Sequence, residues 1–226
     1  MAELTGQSIN LVELSVSHYL LARALEQAGL AEKDVTVVNT SDADIVSVFA
    51  GTEDVQNVVT WNPLLSEVAA FPGAAKLFDS SQIPGEIIDL MVVNTETLDA
   101  NPAFGKALVG AWYETLAIMR AGDAAGIAAR TSMAEASGTD LAGFDAQLDS
   151  TRMFWEAKDA VDFTVSPKLV ETMDNVRTFS NGKGLMGGDM NAVGIAFPRG
   201  QVLGDAGGVK LRFSDVYMKL AAEGGL

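Results

Sequence analysis

The sequence predicts an α/β fold, with a parallel sheet and covering helices in its first third and a mainly helical remainder. Three observations carry this. Short apolar or β-branched runs alternate with helix-period segments between residues 9 and 79. The links between them are short, which favours parallel βα units. From Asn101 onward the apolar residues recur at helical spacing.

Ile9 to Leu14 reads as a buried strand, Ser15-Val16-Ser17 as a turn, and His18 to Ala28 as a helix stopped by Gly29. Leu20, Leu21, Ala24, Leu25 and Ala28 form the apolar face. Ser17 suits an N-cap. A second strand is predicted over 35–39, followed by a helix capped by Ser41, with Asp42 and Asp44 in its first turn. A third strand is predicted over 57–61 and a helix starting at Asn62-Pro63. A fourth strand is predicted over 75–79. The polar connection Ser80 to Gly85 reads as a domain boundary, and 88–93 as a fifth strand. Helices are predicted over 102–119, 123–136, 140–159, 166–179 and 214–223, with the glycine-rich stretch 182–208 irregular.

Composition narrows the function. The net charge of −15 argues against nucleic acid or an anionic membrane as a partner, since both require a basic footprint. The chain has no cysteine, so disulfides, thiolate metal sites and cysteine nucleophiles are excluded. His18 is the single histidine, which excludes a histidine metal cluster. No metal and no cofactor is expected. There is no G-x-S-x-G elbow, and Ser15 and Ser17 lie too close to His18 along the backbone for a triad. Gly182-Lys183-Gly184-Leu185-Met186-Gly187 fits G-x-G-x-x-G but neither follows a strand nor opens a helix, so it is discounted as a nucleotide loop.

Candidate binding residues gather at predicted strand ends, where open α/β sheets bind ligands. They are Glu13, Ser15, Ser17 and His18 after the first strand, Trp61 and Asn62 after the third, and Asp79 after the fourth. Each has a structural alternative: a capped helix, a core tryptophan, a turn-forming aspartate. Trp112 and Glu114 are two apart on one helix and cannot share a face; Glu114 is the candidate.

At VELSVSHYLLARALEQAGL (12–30), DVTVVNTSDADIV (34–46), VVTWNPLLSEV (58–68), FDSSQIPGEIIDLMVVN (78–94), GKALVGAWYETLAIM (105–119) and LRFSDVYMKLAAEG (211–224), the chain resembles the substrate-binding proteins of ABC importers in the nitrate/sulfonate/taurine/bicarbonate group. Within it, the likeness is to the branch found beside urea carboxylase genes. The resemblance implies a type II periplasmic-binding-protein-like fold without catalysis. It implies a periplasmic protein, a monomer when complete, that delivers a small solute to an inner-membrane permease. By the family pattern, 8–82 is lobe two and 83–226 the returning, mainly helical part of lobe one. The opening lobe-one segment and its signal peptide are expected to be absent, leaving one complete α/β lobe plus the C-terminal half of the other.

In the sulfonate relatives the serine turn accepts an anion. Here Glu13 and Asp79 favour a urea- or guanidine-like solute, with a carboxylate matching a guanidinium and Trp61 stacking on its plane. An alkanesulfonate, taurine or nitrate is the alternative. A pyrimidine-synthase-type enzyme of the same fold, using lysine-bound pyridoxal phosphate and a histidine, is the alternative from another class.

Overall fold

The computed structural model describes all residues from 1 to 226, and the chain forms two compact units. Unit 1 comprises Met1–Ile87 with Gly182–Leu185; unit 2 comprises Ile88–Asn181 and Met186–Leu226.

In unit 1, β1 (Ser8–Leu11) is followed by α1 (Val16–Gln27), β2 (Thr36–Asn39), α2 (Asp42–Gly51) and α3 (Leu64–Ala69). β1 and β2 are parallel, in register from Ser8 opposite Thr36 to Leu11 opposite Asn39. Ile9, Leu11, Leu21, Leu25 and Val35 form a buried cluster with Leu4, so the apolar face of α1 closes over β1. Burying a leucine or isoleucine stabilises by about 1.5–3 kcal/mol, and Leu21 and Leu25 are the contribution of α1 to this cluster. α1 ends as its sequence dictates. Gly29 has φ 73°, the Gly29 N–H donates to Glu26 O, and the Leu30 N–H donates to Leu25 O. That is the Schellman pattern, with Leu30 packed on the cluster that holds Leu25.

The third predicted strand is reduced to one bridge. Asn10 faces Val58 in parallel, held by Asn10 N–H to Asn57 O and Val59 N–H to Asn10 O, each 2.9 Å. The strands expected over 75–79 and 88–93 do not form. Strand propensity reports how well a residue fits a paired surface, and neither run has a neighbouring strand to pair with. Lys76 instead pairs with Asp79, whose side chain accepts from Ser81 N–H and starts a short turn. Leu90, Met91 and Val92 stay exposed.

Unit 2 contains α4 (Thr95–Ala100), α5 (Pro102–Arg120), α6 (Ala124–Ala136), α7 (Leu141–Ser150), α8 (Ala157–Thr164), α9 (Pro167–Gly182), which runs into unit 1 at its last residue, and α10 (Val216–Ala222). Asp123 and Asp140 cap α6 and α7 through their side chains. The single helix expected over 140–159 is broken at 151–156, where the Ser150 and Thr151 hydroxyls donate to Gln147 O and Phe154 turns onto Phe163 at 5.3 Å. Arg130 ties three helices, pairing with Asp145 and donating to Met119 O and Ala121 O.

The stretch expected to be irregular, 182–208, contains two strands of a small sheet, which a third strand completes just beyond it. β3 (Gly194–Ala196) lies between β4 (Val202–Leu203), antiparallel, and β5 (Val209–Arg212), parallel. Its glycines permit close approach: a Cβ on Gly194 would meet Asp205 O at 2.2 Å. Ile195 and Phe197 bury against Leu169 and Met173 of α9. No helix is long and apolar enough to cross a membrane.

One carboxylate in unit 1 is nearly withdrawn from water. Glu86 is 5% exposed and accepts from Tyr19 Oη at 2.8 Å and from Arg23 Nε and Nη2 at 2.7 and 3.1 Å. Glu86→Ala is expected to destabilise unit 1 by about 3 kcal/mol, because removing one member of a buried pair strands the rest. Urea unfolding of both proteins checks this.

Candidate functional site

The site is built where β1, β2 and the 57–60 edge end. Continuing the β1–β2 register by one and two residues, and the Asn10–Val58 bridge by two and three, puts Thr40, Val12 and Thr60 at one level, and Ser41, Glu13 and Trp61 at the next. Side chains latch these ends together. Thr40 Oγ1 donates to Asn10 Oδ1 at 3.0 Å, and Glu13 N–H donates to Asn39 Oδ1 at 3.0 Å. The Glu13 carboxylate itself is left exposed.

The turn after β1 is tightly specified. Leu14 has φ 60°, a left-handed backbone that a leucine adopts only when its surroundings impose it. Ser15, rather than Ser17, is the N-cap of α1: its hydroxyl accepts from Ser17 N–H at 3.1 Å and donates to Val12 O at 2.6 Å. The sequence offered two serines two residues apart, and only the tertiary turn chooses between them.

His18 is 4% exposed. Its Nδ1 accepts from Leu14 N–H at 3.1 Å, so the proton of the neutral ring sits on Nε2, 2.6 Å from Glu32 Oε1. Sequence reading has His18 as a ligand contact; in the fold the ring is buried with both nitrogens engaged by protein groups. Ser17, 3% exposed, is likewise part of the helix start.

Trp61 is 42% exposed, and Asn62 Oδ1 accepts from Ser66 Oγ at 2.9 Å. Leu14 and Val16 are also more than half or about half exposed, so apolar surface rims the strand ends. Thr60, at 9% exposure, was not singled out from sequence, yet its Oγ1 is buried without a hydrogen-bond partner. A strand-terminal threonine beside a tryptophan was its only signal. Asp42 Oδ1 is buried and unpartnered as well, and burial raises that carboxyl above its usual pKa. No basic residue occurs among 10–17, 39–45 or 58–62.

Asp79 is internally engaged. Hydrogen bonding from Lys76, then from Ser81, holds its carboxyl below the usual range. A carboxyl lowered on folding contributes stability above its unfolded pKa and loses it as pH falls through the folded value. Lys76→Met is therefore expected to cost stability at neutral pH and nothing in strong acid, which paired urea titrations across pH will read. Glu114 belongs to unit 2, exposed on α5 beside a depression of about 340 Å³ lined also by Tyr113, Ala117 and Ala221.

Ser15→Ala removes the cap and is expected to lower stability by about 1 kcal/mol, measured by thermal or urea unfolding.

A profile of the family described as NMT1/THI5 like matches residues 1–122. No curated protein matches the chain. Among solved structures, the chain is similar to the alkanesulfonate-binding protein SsuA from Xanthomonas axonopodis pv. citri bound to MOPS, with TM-score 0.59 and 19% identity over 81% of this chain. It is also similar to the periplasmic aliphatic sulphonate binding protein SsuA from Escherichia coli, with TM-score 0.62 and 21% identity, again over 81% of this chain. At such identities the likeness is one of fold, the α/β fold of periplasmic binding proteins. The chain spans 60% of the length of each of those structures.

Proposed function

The chain belongs to the NMT1/THI5-like family, and from that premise we propose that it is the periplasmic solute-binding component of an ABC importer, handing a small nitrogen-rich solute of the urea or guanidine kind to a membrane permease. The observation that carries this reading is the lip of unit 1. The Glu13 carboxylate, the unpartnered Thr60 hydroxyl and the open face of Trp61 share adjacent levels at the strand ends, with no basic residue among them. Glu13 supplies a bidentate acceptor for N–H groups, Thr60 one further hydrogen bond, and Trp61 a stacking plane. Ser15 and Asn62 flank them.

A second reading, an alkanesulfonate or a similar anion, is favoured by the N-terminus of α1 and by what the two similar solved proteins bind. A helix terminus favours an anion by about 0.3–1 kcal/mol. An exposed ion pair contributes about 0–1 kcal/mol, so the two are of the same order, and what favours the first reading is the absence of a basic residue at the strand ends together with the open face of Trp61. An enzymatic reading through a lysine-bound cofactor draws on Lys183, which is joined to His18 through Glu32, but its Nζ is paired with Glu32 at 2.6 Å. Absorbance of a Schiff base after adding pyridoxal phosphate tests that reading separately.

Calorimetry with guanidinium, urea and taurine tests the proposal. Guanidinium is expected to bind, Glu13→Gln to weaken it about threefold, and Thr60→Val to weaken it while leaving the free protein no less stable. Taurine binding with guanidinium silent would establish the anion reading instead.

A further inference from the structure

We infer that Glu32 and Lys183 are positioning residues for the strand-end site, setting the shape of its turn through His18. The inference rests on the reading of that turn as a ligand wall.

The chain of contacts is continuous. Lys183 Nζ donates to Glu32 Oε2 at 2.6 Å. Glu32 Oε1 lies 2.6 Å from His18 Nε2. His18 Nδ1 accepts from the N–H of Leu14, the residue held at φ 60°. Each link fixes the next. The Lys183 ammonium holds the Glu32 carboxylate in one orientation. That carboxylate accepts from Nε2–H and so keeps the imidazole proton on Nε2, leaving Nδ1 with a lone pair. Only that tautomer accepts from Leu14 N–H, and this bond stabilises a backbone conformation otherwise unfavourable for leucine. Ser15, the cap of α1, and Glu13, the exposed carboxylate, flank Leu14 on either side.

Lys183 reaches this site from 151 residues beyond Glu32, in the short segment Gly182–Leu185 that packs within unit 1. The glycine pattern around it therefore serves a turn: Gly184 and Gly187 have φ 74° and 67°. A charged side chain delivered at the end of a 16-residue helix onto a buried histidine's partner exceeds what a generic surface ion pair provides, since Glu32 is two-thirds buried and both its oxygens are engaged.

Because His18 is the only histidine, nitrogen-15 NMR reports its tautomer without assignment ambiguity. The full chain should show Nδ1 unprotonated. Lys183→Met is expected to mix the tautomers, to speed hydrogen exchange at the Leu14 amide about tenfold, and to weaken ligand binding about fivefold, with Lys183→Arg restoring all three. Glu32→Gln should reproduce the first two effects, and it serves as the test if Lys183→Met fails to fold by circular dichroism. Unchanged histidine signals and unchanged Leu14 exchange in a folded Lys183→Met protein would overturn the inference. If the native protein binds none of guanidinium, urea and taurine, the proposed function fails, while the histidine and amide readouts still decide this one.

Discussion

The buried Glu86 carboxylate constrains much of unit 1. Burying an ion costs several kcal/mol unless it is paired and its lone pairs are filled. Here Arg23 grips it with two nitrogens and Tyr19 donates a third bond. The consequences are visible at both partners. Burial, then the bond to Glu86, raises the Tyr19 hydroxyl well above its usual pKa, and the same carboxylate raises Arg23. Because Glu86 lies one residue before the end of Met1–Ile87, this cluster fastens the point where the chain leaves unit 1 onto the body of α1.

α1 then carries three duties along 12 residues. Its apolar face closes the core over β1. Its N-terminus, capped by Ser15, faces the strand-end level where Glu13 and Trp61 lie. Its Tyr19 and Arg23 hold Glu86, and His18, on the stripe of Leu21 and Leu25, holds Glu32 with Lys183. Helical geometry makes this division possible. Leu21 and Leu25 lie on one stripe, whereas Tyr19 and Arg23, four apart, lie on another. The only strained backbone near the site, Leu14, sits where these duties meet, between a strand end and a cap.

The strand ends show how local and long-range forces divide the work. Registry brings Thr60 level with Thr40, but burial alone makes its hydroxyl conspicuous, since a buried donor without a partner costs about 1–3 kcal/mol. Asp79 illustrates the converse. It looked like an open carboxylate at a strand end, yet with no strand formed its nearest groups, Lys76 and Ser81, consumed it.

Local chemistry in the sequence determined most of the helices, the Gly29 stop of α1, the aspartate caps of α6 and α7, and the pattern of the β1–α1–β2 core. Those features depend on periodicity, on capping side chains and on glycine, all of which act within a few residues. Only the tertiary structure decided which extended runs became strands, because a strand exists through its neighbour; 75–79 and 88–93 had none, while the glycine-rich tail found partners in β3, β4 and β5. Only the tertiary structure turned His18 from a candidate contact into the support of a turn, because its partners, Glu32 and Lys183, lie 14 and 165 residues along the chain.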